Sequence, residues 1–594
     1  MAARQLKATV ATALLAVVAA CSGGGGAAPA ASTGSSGGTV APTPSPPSPP
    51  PPPPPVAAPA APAGYSATEA ARFLTQATFG ATEADISTLG SKSFATWIDQ
   101  QISLPRGQTA LNYMEQRMPQ GDGNQVPQYF YEYFWREAVT APDQLRQRMT
   151  FALSQIFVIS FANPNVIPRG MASYYDMLNK NAFGNFRTLL EDVTLHPMMG
   201  LYLSHLGNQK ENLLTGQNPD QNYAREIMQL MSIGLYELNI DGTVKKDASG
   251  NPIPAYTQDD VANLAKVFTG ISWFSRNPTD RSFLGGDQTT LSMTGETWVS
   301  PMMFYPSYHS TSAKKFLGVS IPASATPDVA GNLKIALDTI FNHPNVGPFI
   351  GRQLIQRFVT SNPSPAYVSR VAAVFNNNGK GVRGDMAAVI RAVLLDSEAR
   401  TVPPATDRNY GKLREPILRV SNAMRTFRAS STSNNWQLHS TSSSLLLGQS
   451  VLSAPSVFNF YRPGFVLSNS QSGTANLHAP EFQIADEITV ASYVNFMRAF
   501  IGSGIGRNND ISLDLSRETA IAQDGAALVE RMNVLLLNGN MSPALKQRIL
   551  TTIEALSVAN TGNKTPTEIN EAKALRARIA VFLTMISPEY MIQR

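Results

Sequence analysis

The run from Pro46 to Pro55, broken only by Ser48, sets the first limit on this chain. Proline locks its own φ and offers no backbone N–H, so neither a helix nor a central strand can pass through such a block. Anything that packs must therefore lie wholly to one side of it. The stretch before it, from residue 22, is dominated by Gly, Ala, Ser and Thr and cannot bury a core. Residues 22–63 thus read as a tether: flexible at first, then a polyproline II spacer of about 3 Å per residue. Globular composition begins at Gly64 and runs to Arg594. No second linker of this kind follows. The Ser/Thr-rich patch from Ala429 to Ser444 reads as a long loop within one helical body, or between two closely packed lobes.

Residues 1–20 have the form of an export leader: Arg4 and Lys7, then an apolar run from Thr9 to Ala20 too short to span a bilayer. Val18-Ala19-Ala20-Cys21 resembles a bacterial lipobox. That resemblance implies lipidation of Cys21, and Ser22 after it implies sorting to the outer membrane. The plainer alternative is an ordinary signal peptide with a chance cysteine. Cys21 is the only cysteine, so the body holds no disulfide, no Cys/His zinc cluster and no cysteine nucleophile. It must be held by its core alone, which its length allows. The formal charge of +5 is evenly spread and argues against a nucleic-acid partner.

Helical periodicity recurs along the body. It predicts helices over Ser66–Ala77, Phe94–Ile102, Asp143–Ser160, Phe186–Leu195, Met198–Leu206, Asn345–Val359, Asp385–Asp396, Leu413–Phe427, Glu481–Ile501 and Ala520–Leu537, with others starting at Ser364 and toward the C-terminus. The central helix should be capped by Asn218 with Pro219 at its first position, and should end near Gly234. Strand signals are few. Asp241-Gly242 and Ser249-Gly250 mark turns, so Glu237–Tyr256 reads as a small hairpin. The expected fold is mainly α, a large multi-helix body with one small β-hairpin excursion after the central helix.

Several stretches then resemble one family. They are Ala71 to Gly80, Leu145-Arg146-Gln147-Arg148 with Phe151 to Gln155, Ala182 to Arg187, Asn222-Tyr223-Ala224-Arg225-Glu226, Thr360 to Pro363 and Ser587 to Tyr590. Together they are similar, in order, to the bacterial Domain of Unknown Function 1800 family. The resemblance implies a secreted or envelope protein, with a secreted partner from the Domain of Unknown Function 1501 family. It implies no activity, catalytic residue or cofactor.

Candidate chemistry rests on few residues. Phosphate loops, dinucleotide fingerprints and His-Glu-x-x-His are absent. Glu226 falls beside the apolar stripe of Tyr223, Ile227, Leu230 and Met231, where a carboxylate is costly unless paired. It belongs either to a buried ion pair with an arginine, the plainer expectation, or to a site. Asp192 and His196 are four apart and share a helix face if the helix reaches His196. His205 follows Leu201 on the next predicted helix. If the chain folds back around Pro197, Glu226, Asp192 and His196 would form an acid–base group, and His196 and His205 could ligate a metal. The alternative makes His196 a helix-end residue bonded to backbone. Two functions follow: a lipid-anchored envelope protein that binds or assembles with a secreted partner, or an envelope hydrolase acting on a polysaccharide through these carboxylates. A pocket into which Glu226, Asp192 and His196 converge would favour the hydrolase. A closed core there, with a groove elsewhere, would favour binding.

Overall fold

The first helix shows how the body is closed. Ser66 caps Ala67–Ala77: its Oγ accepts from the Glu69 N–H at 3.2 Å, and Glu69 accepts from the Ser66 N–H at 2.9 Å. One face then buries Phe73, Leu74 and Ala77. This face meets the late helix Gly525–Leu537 and the middle helix Met386–Leu395. The computed structural model describes residues 64–594, apart from 119–125, 286–294, 405, 408 and 560–563. The leader, Cys21 and the linker therefore lie outside the described residues, which fall within a single compact unit.

The body is mainly α-helical, with four two-stranded antiparallel sheets among the described residues. Lys412–Leu413 pairs with Ile592–Gln593, so the last residues of the chain close onto its middle. Ser430–Ser431 pairs with Ile511–Ser512. The excursion after the central helix is a three-limbed meander rather than one hairpin. Leu238 bridges Val244 and Lys246 bridges Pro252, with Gly242 and Gly250 both left-handed at the two turns. Both turn dipeptides thus sit where their chemistry places them. No described helix is long and apolar enough to cross a membrane.

Two helices depart from the amphipathic pattern. Every residue of Gln144–Ser154 and of Pro416–Thr426 is buried, including Arg146, Arg148, Arg419 and Arg425. Burying such groups is costly unless their donors are used. Each guanidinium reaches a main-chain carbonyl, while Arg148 Nε and Nη1 make no hydrogen bond and the group lies over the Phe151 and Phe358 rings. Arg148 donates to Arg357 O, and Arg357 donates to Gln155 O at 3.0 Å. Arg425 donates to Gly80 O and Val139 O, both at 2.6 Å, and to Asp85. Arg72 reaches Ala399 O and Arg400 O, and Arg576 reaches Leu556 O and Ala522 O. Most of these acceptors lie in or just beyond the last turn of a helix, where carbonyls lack intrahelical partners and the dipole is negative. Buried arginine is the mortar between helices here.

The central helix is shorter than its sequence suggests, running over Asn222–Gln229 with Gln221 at its N-cap. Asn208 explains the late start. Its side chain donates to Asp220 O and accepts from the Asp220 N–H at 2.8 Å, which fixes the backbone ahead of the helix. Asp220 then accepts from the Asn222 N–H, while the Asn218 side chain turns back to Gly216 O. Gly234 is left-handed, as its position past the helix end requires.

Candidate functional site

The four residues singled out from the sequence do not converge. Glu226 is 8% exposed, its Oε2 is buried without a hydrogen-bond partner, and no ion pair reaches it among the described residues. The expected arginine partner is absent: neighbouring Arg225 turns to Gln258 Oε1 at 3.0 Å. Burial raises the Glu226 carboxyl above its usual range, and Arg225 opposes this only in part. Asp192 faces the preceding helix, accepting from Lys180 Nζ at 3.1 Å and Asn181 Nδ2 at 2.8 Å.

His196 caps the Pro197–Tyr202 helix, its Nδ1 accepting the Met198 N–H at 3.2 Å. Its Nε2 lies 3.4 Å from Ser173 Oγ, and its ring meets Tyr174 edge-on. Burial pushes the imidazole down to about 3, so it is neutral. His205 donates from Nε2 to Thr194 O at 2.8 Å and stacks on Tyr223 at 3.8 Å. Burial holds it down, to about 4. Thr194 Oγ1 lies 2.7 Å from Tyr223 OH. His205, Thr194 and Tyr223 thus form a closed structural knot. Among the described residues, no group of three or more His, Cys, Asp or Glu could hold a metal ion.

A second polar centre is also closed. Glu415 is fully buried, and its Oε2 accepts from the side chains of Gln155 and Gln449, each at 2.5 Å. Glu481 pairs with Lys412 at 2.9 Å, both buried. The neighbours of Glu415, Arg414 and Arg419, do not pair with it: their guanidiniums lie against the Tyr590 and Tyr493 rings.

The open site lies where the sequence marked only a long loop. A recess of about 380 Å3 opens between the helix Gln128–Thr140, the segment at Phe161 and the turns carrying His439 to Ser453. Tyr131 and Phe161 form its aromatic wall, their rings 5.6 Å apart and edge-to-face. Gln128, Ser440, Ser442 and Ser453 give it polar groups, and Tyr131 OH lies 2.8 Å from Ser453 Oγ. His439 also lines it, with a side chain 38% exposed. Behind the imidazole sits Glu132, one residue beyond Tyr131, its side chain only 2% exposed. Glu132 Oε1 is 3.8 Å from His439 Nε2. Glu132 Oε2 accepts from Arg117 Nε at 3.2 Å and from Tyr113 OH at 3.4 Å.

The loop presenting His439 is fastened at both ends. Asp510 accepts from Ser431 Oγ, the Ser433 N–H and the Gln437 N–H at 2.6–2.9 Å. Beyond His439, Thr441 donates to Gln449 O at 2.6 Å. Trp436 is buried with a left-handed backbone, which pins the chain just before His439. Leu452 is left-handed as well, a costly conformation for leucine, and stands beside Ser453 in the recess wall. These fastenings make a loop into a rigid carrier of the site.

The signal for this site was the length of the Ser/Thr-rich patch. A long loop inside a packed body is uncommon and tends to be functional. Trp135, Trp273 and Trp436, by contrast, are all core residues. No curated protein and no solved structure matches the chain. The family described as "Protein of unknown function (DUF1800)" matches residues 72–592, nearly all of the body. The chain therefore belongs to the DUF1800 family.

Proposed function

We propose that this chain is a lipid-anchored envelope protein that binds a neutral saccharide in the Tyr131–His439 recess. One observation carries the reading: the recess is ligand-sized, and it combines an aromatic wall with hydroxyl and amide groups. Ligand sites commonly join apolar walls to a few placed polar groups. Rings with one apolar face and many hydroxyls suit Tyr131 and Phe161 on one side and Ser440, Ser442 and Gln128 on the other. His439 is the one ionisable lining side chain apart from the Tyr131 phenol, among the described residues, so a strongly charged ligand is poorly matched. The tether at residues 22–63 and Cys21 would hold this site away from a membrane, and a secreted partner of the DUF1501 family could deliver or share the ligand. A hydrolase centred on Glu226, Asp192 and His196 lacks this support, because Asp192 and His196 are engaged with other partners and neither bonds to Glu226.

Titration calorimetry with neutral xylo-, cello- and chito-oligosaccharides tests the site, and detergent partitioning of wild type and Cys21→Ala tests the anchor. Phe161→Ala should weaken binding at least tenfold without loss of fold, since stacking supplies about 1 kcal/mol or more. If no member of the panel binds in the millimolar range, the saccharide reading is wrong. If Cys21→Ala partitions as the wild type does, the anchor is wrong.

A further inference from the structure

We infer that His439, oriented by Glu132, is a general base that hydrolyses acyl esters carried on the saccharide in this recess. The inference rests on the saccharide reading above and adds a reaction to it. Three features of the recess point the same way.

The first is the pair itself. Histidine is the side chain best suited to take and return a proton near neutrality. Among the described ion pairs, His439 is the one histidine within 4 Å of a carboxylate. At 3.8 Å the contact is longer than a hydrogen bond, as catalytic contacts often are before a ligand closes them. The second is the state of Glu132. Arg117 and Tyr113 hold its other oxygen, so the carboxylate is fixed in place behind the ring. That is the role of an orienting third group: it sets the ring's angle and stabilises the imidazolium that forms. The third is what the recess lacks. Glycosidic cleavage needs two carboxyl groups flanking the bond. No carboxyl lines this recess among the described residues. An imidazole without such a pair suits acyl transfer, not glycoside cleavage.

The reaction balances with water as the other reactant. His439 accepts a proton from water as its oxygen bonds to the acyl carbon. The carbonyl π electrons move to oxygen and give a tetrahedral oxyanion. The hydroxyls of Ser440 and Ser442, 2.9 Å apart, and the Gln128 amide supply donors at the recess wall for that charge. Collapse of the oxyanion breaks the bond to the sugar oxygen, and the imidazolium returns the proton to it. The products are a carboxylic acid and a free sugar hydroxyl. Tyr131, joined to Ser453, shapes the wall and takes no part in the proton transfer.

The test measures acetate release from O-acetylated xylo-oligosaccharides, alongside calorimetric binding of the same sugars without acetyl groups. The wild type should release acetate. His439→Gln should lower kcat at least 100-fold with KM within twofold, the usual scale of a lost general base. Glu132→Gln should lower kcat about tenfold with KM again unchanged; a merely structural role would move both or unfold the protein. His439 is partly exposed, so its substitution keeps the fold and stands alone as a test. Sugars that bind without acetate release, or equal release by His439→Gln, would overturn the catalytic inference and leave the binding site intact. Release without binding of the deacetylated sugars would overturn the saccharide reading and with it the inference that the ester is recognised through its sugar.

Discussion

A carboxylate buried without a cation favours its protonated form, and Glu226 is in that position. The sign of its contribution follows. Its folded pKa lies above its unfolded one, so the folded state holds the proton longer as pH rises. Stability contributed by Glu226 is therefore greatest in acid. It falls as pH climbs out of the ordinary carboxylate range and through the raised folded value. Glu226→Gln removes the charge and nearly preserves the shape. We expect the variant to be at least as stable as the wild type at pH 7, by on the order of 1 kcal/mol, with the gain vanishing toward pH 4. Denaturant midpoints at the two pH values check this. A loss of about 3 kcal/mol at pH 7, the cost of stranding a buried arginine, would restore the ion pair expected from sequence. Spacing alone placed Glu226 correctly on a buried face. It carried no information about whether a cation, 30 or 300 residues away, would arrive there.

Helices were legible where burial is one-sided. Ala67–Ala77, Phe94–Ser103, Phe186–Thr194, Val346–Phe358 and Met386–Leu395 lie within two residues of their predicted bounds. The helix that builds the recess was not. In Gln128–Thr140 the six residues from Phe130 to Trp135 are all buried, Glu132 among them, so burial there runs round the helix and not along one stripe. Its aromatics also have weak helix propensity. Half of the candidate site was thus hidden by complete burial, and the other half by a loop whose order comes from outside it. Asp510, more than 70 residues along the chain, supplies that order. Asp510→Ala should cost about 2 kcal/mol, since three donors lose a charged acceptor. Cleavage by protease between residues 432 and 446 should rise, and saccharide binding should weaken. Unchanged cleavage would show that Trp436 and Thr441 suffice to hold the loop.

At the scale of the whole molecule, the arginine contacts and the short sheets join segments that are far apart in sequence. Arg72 donates to Arg594 O at 3.0 Å, Tyr590 OH donates to Arg419 O at 2.7 Å, and Ile592–Gln593 completes a sheet with residues 412–413. Removing residues 590–594 strips all three at once and leaves Arg414 without its tyrosine ring. The truncated protein should melt at least 10 °C lower, and in one transition, because the lost contacts belong to a core shared by both halves. Calorimetry decides this. A second, unchanged transition would mean that the N-terminal helices are stable without the tail.

The same closure sets when the protein can become native. The helix carrying Arg72 cannot complete its contacts until a segment more than 500 residues further on has been made. Contacts at such separation also form slowly. Refolding should therefore end in a slow phase in which residues 590–594 dock, whatever the order in which the earlier helices form.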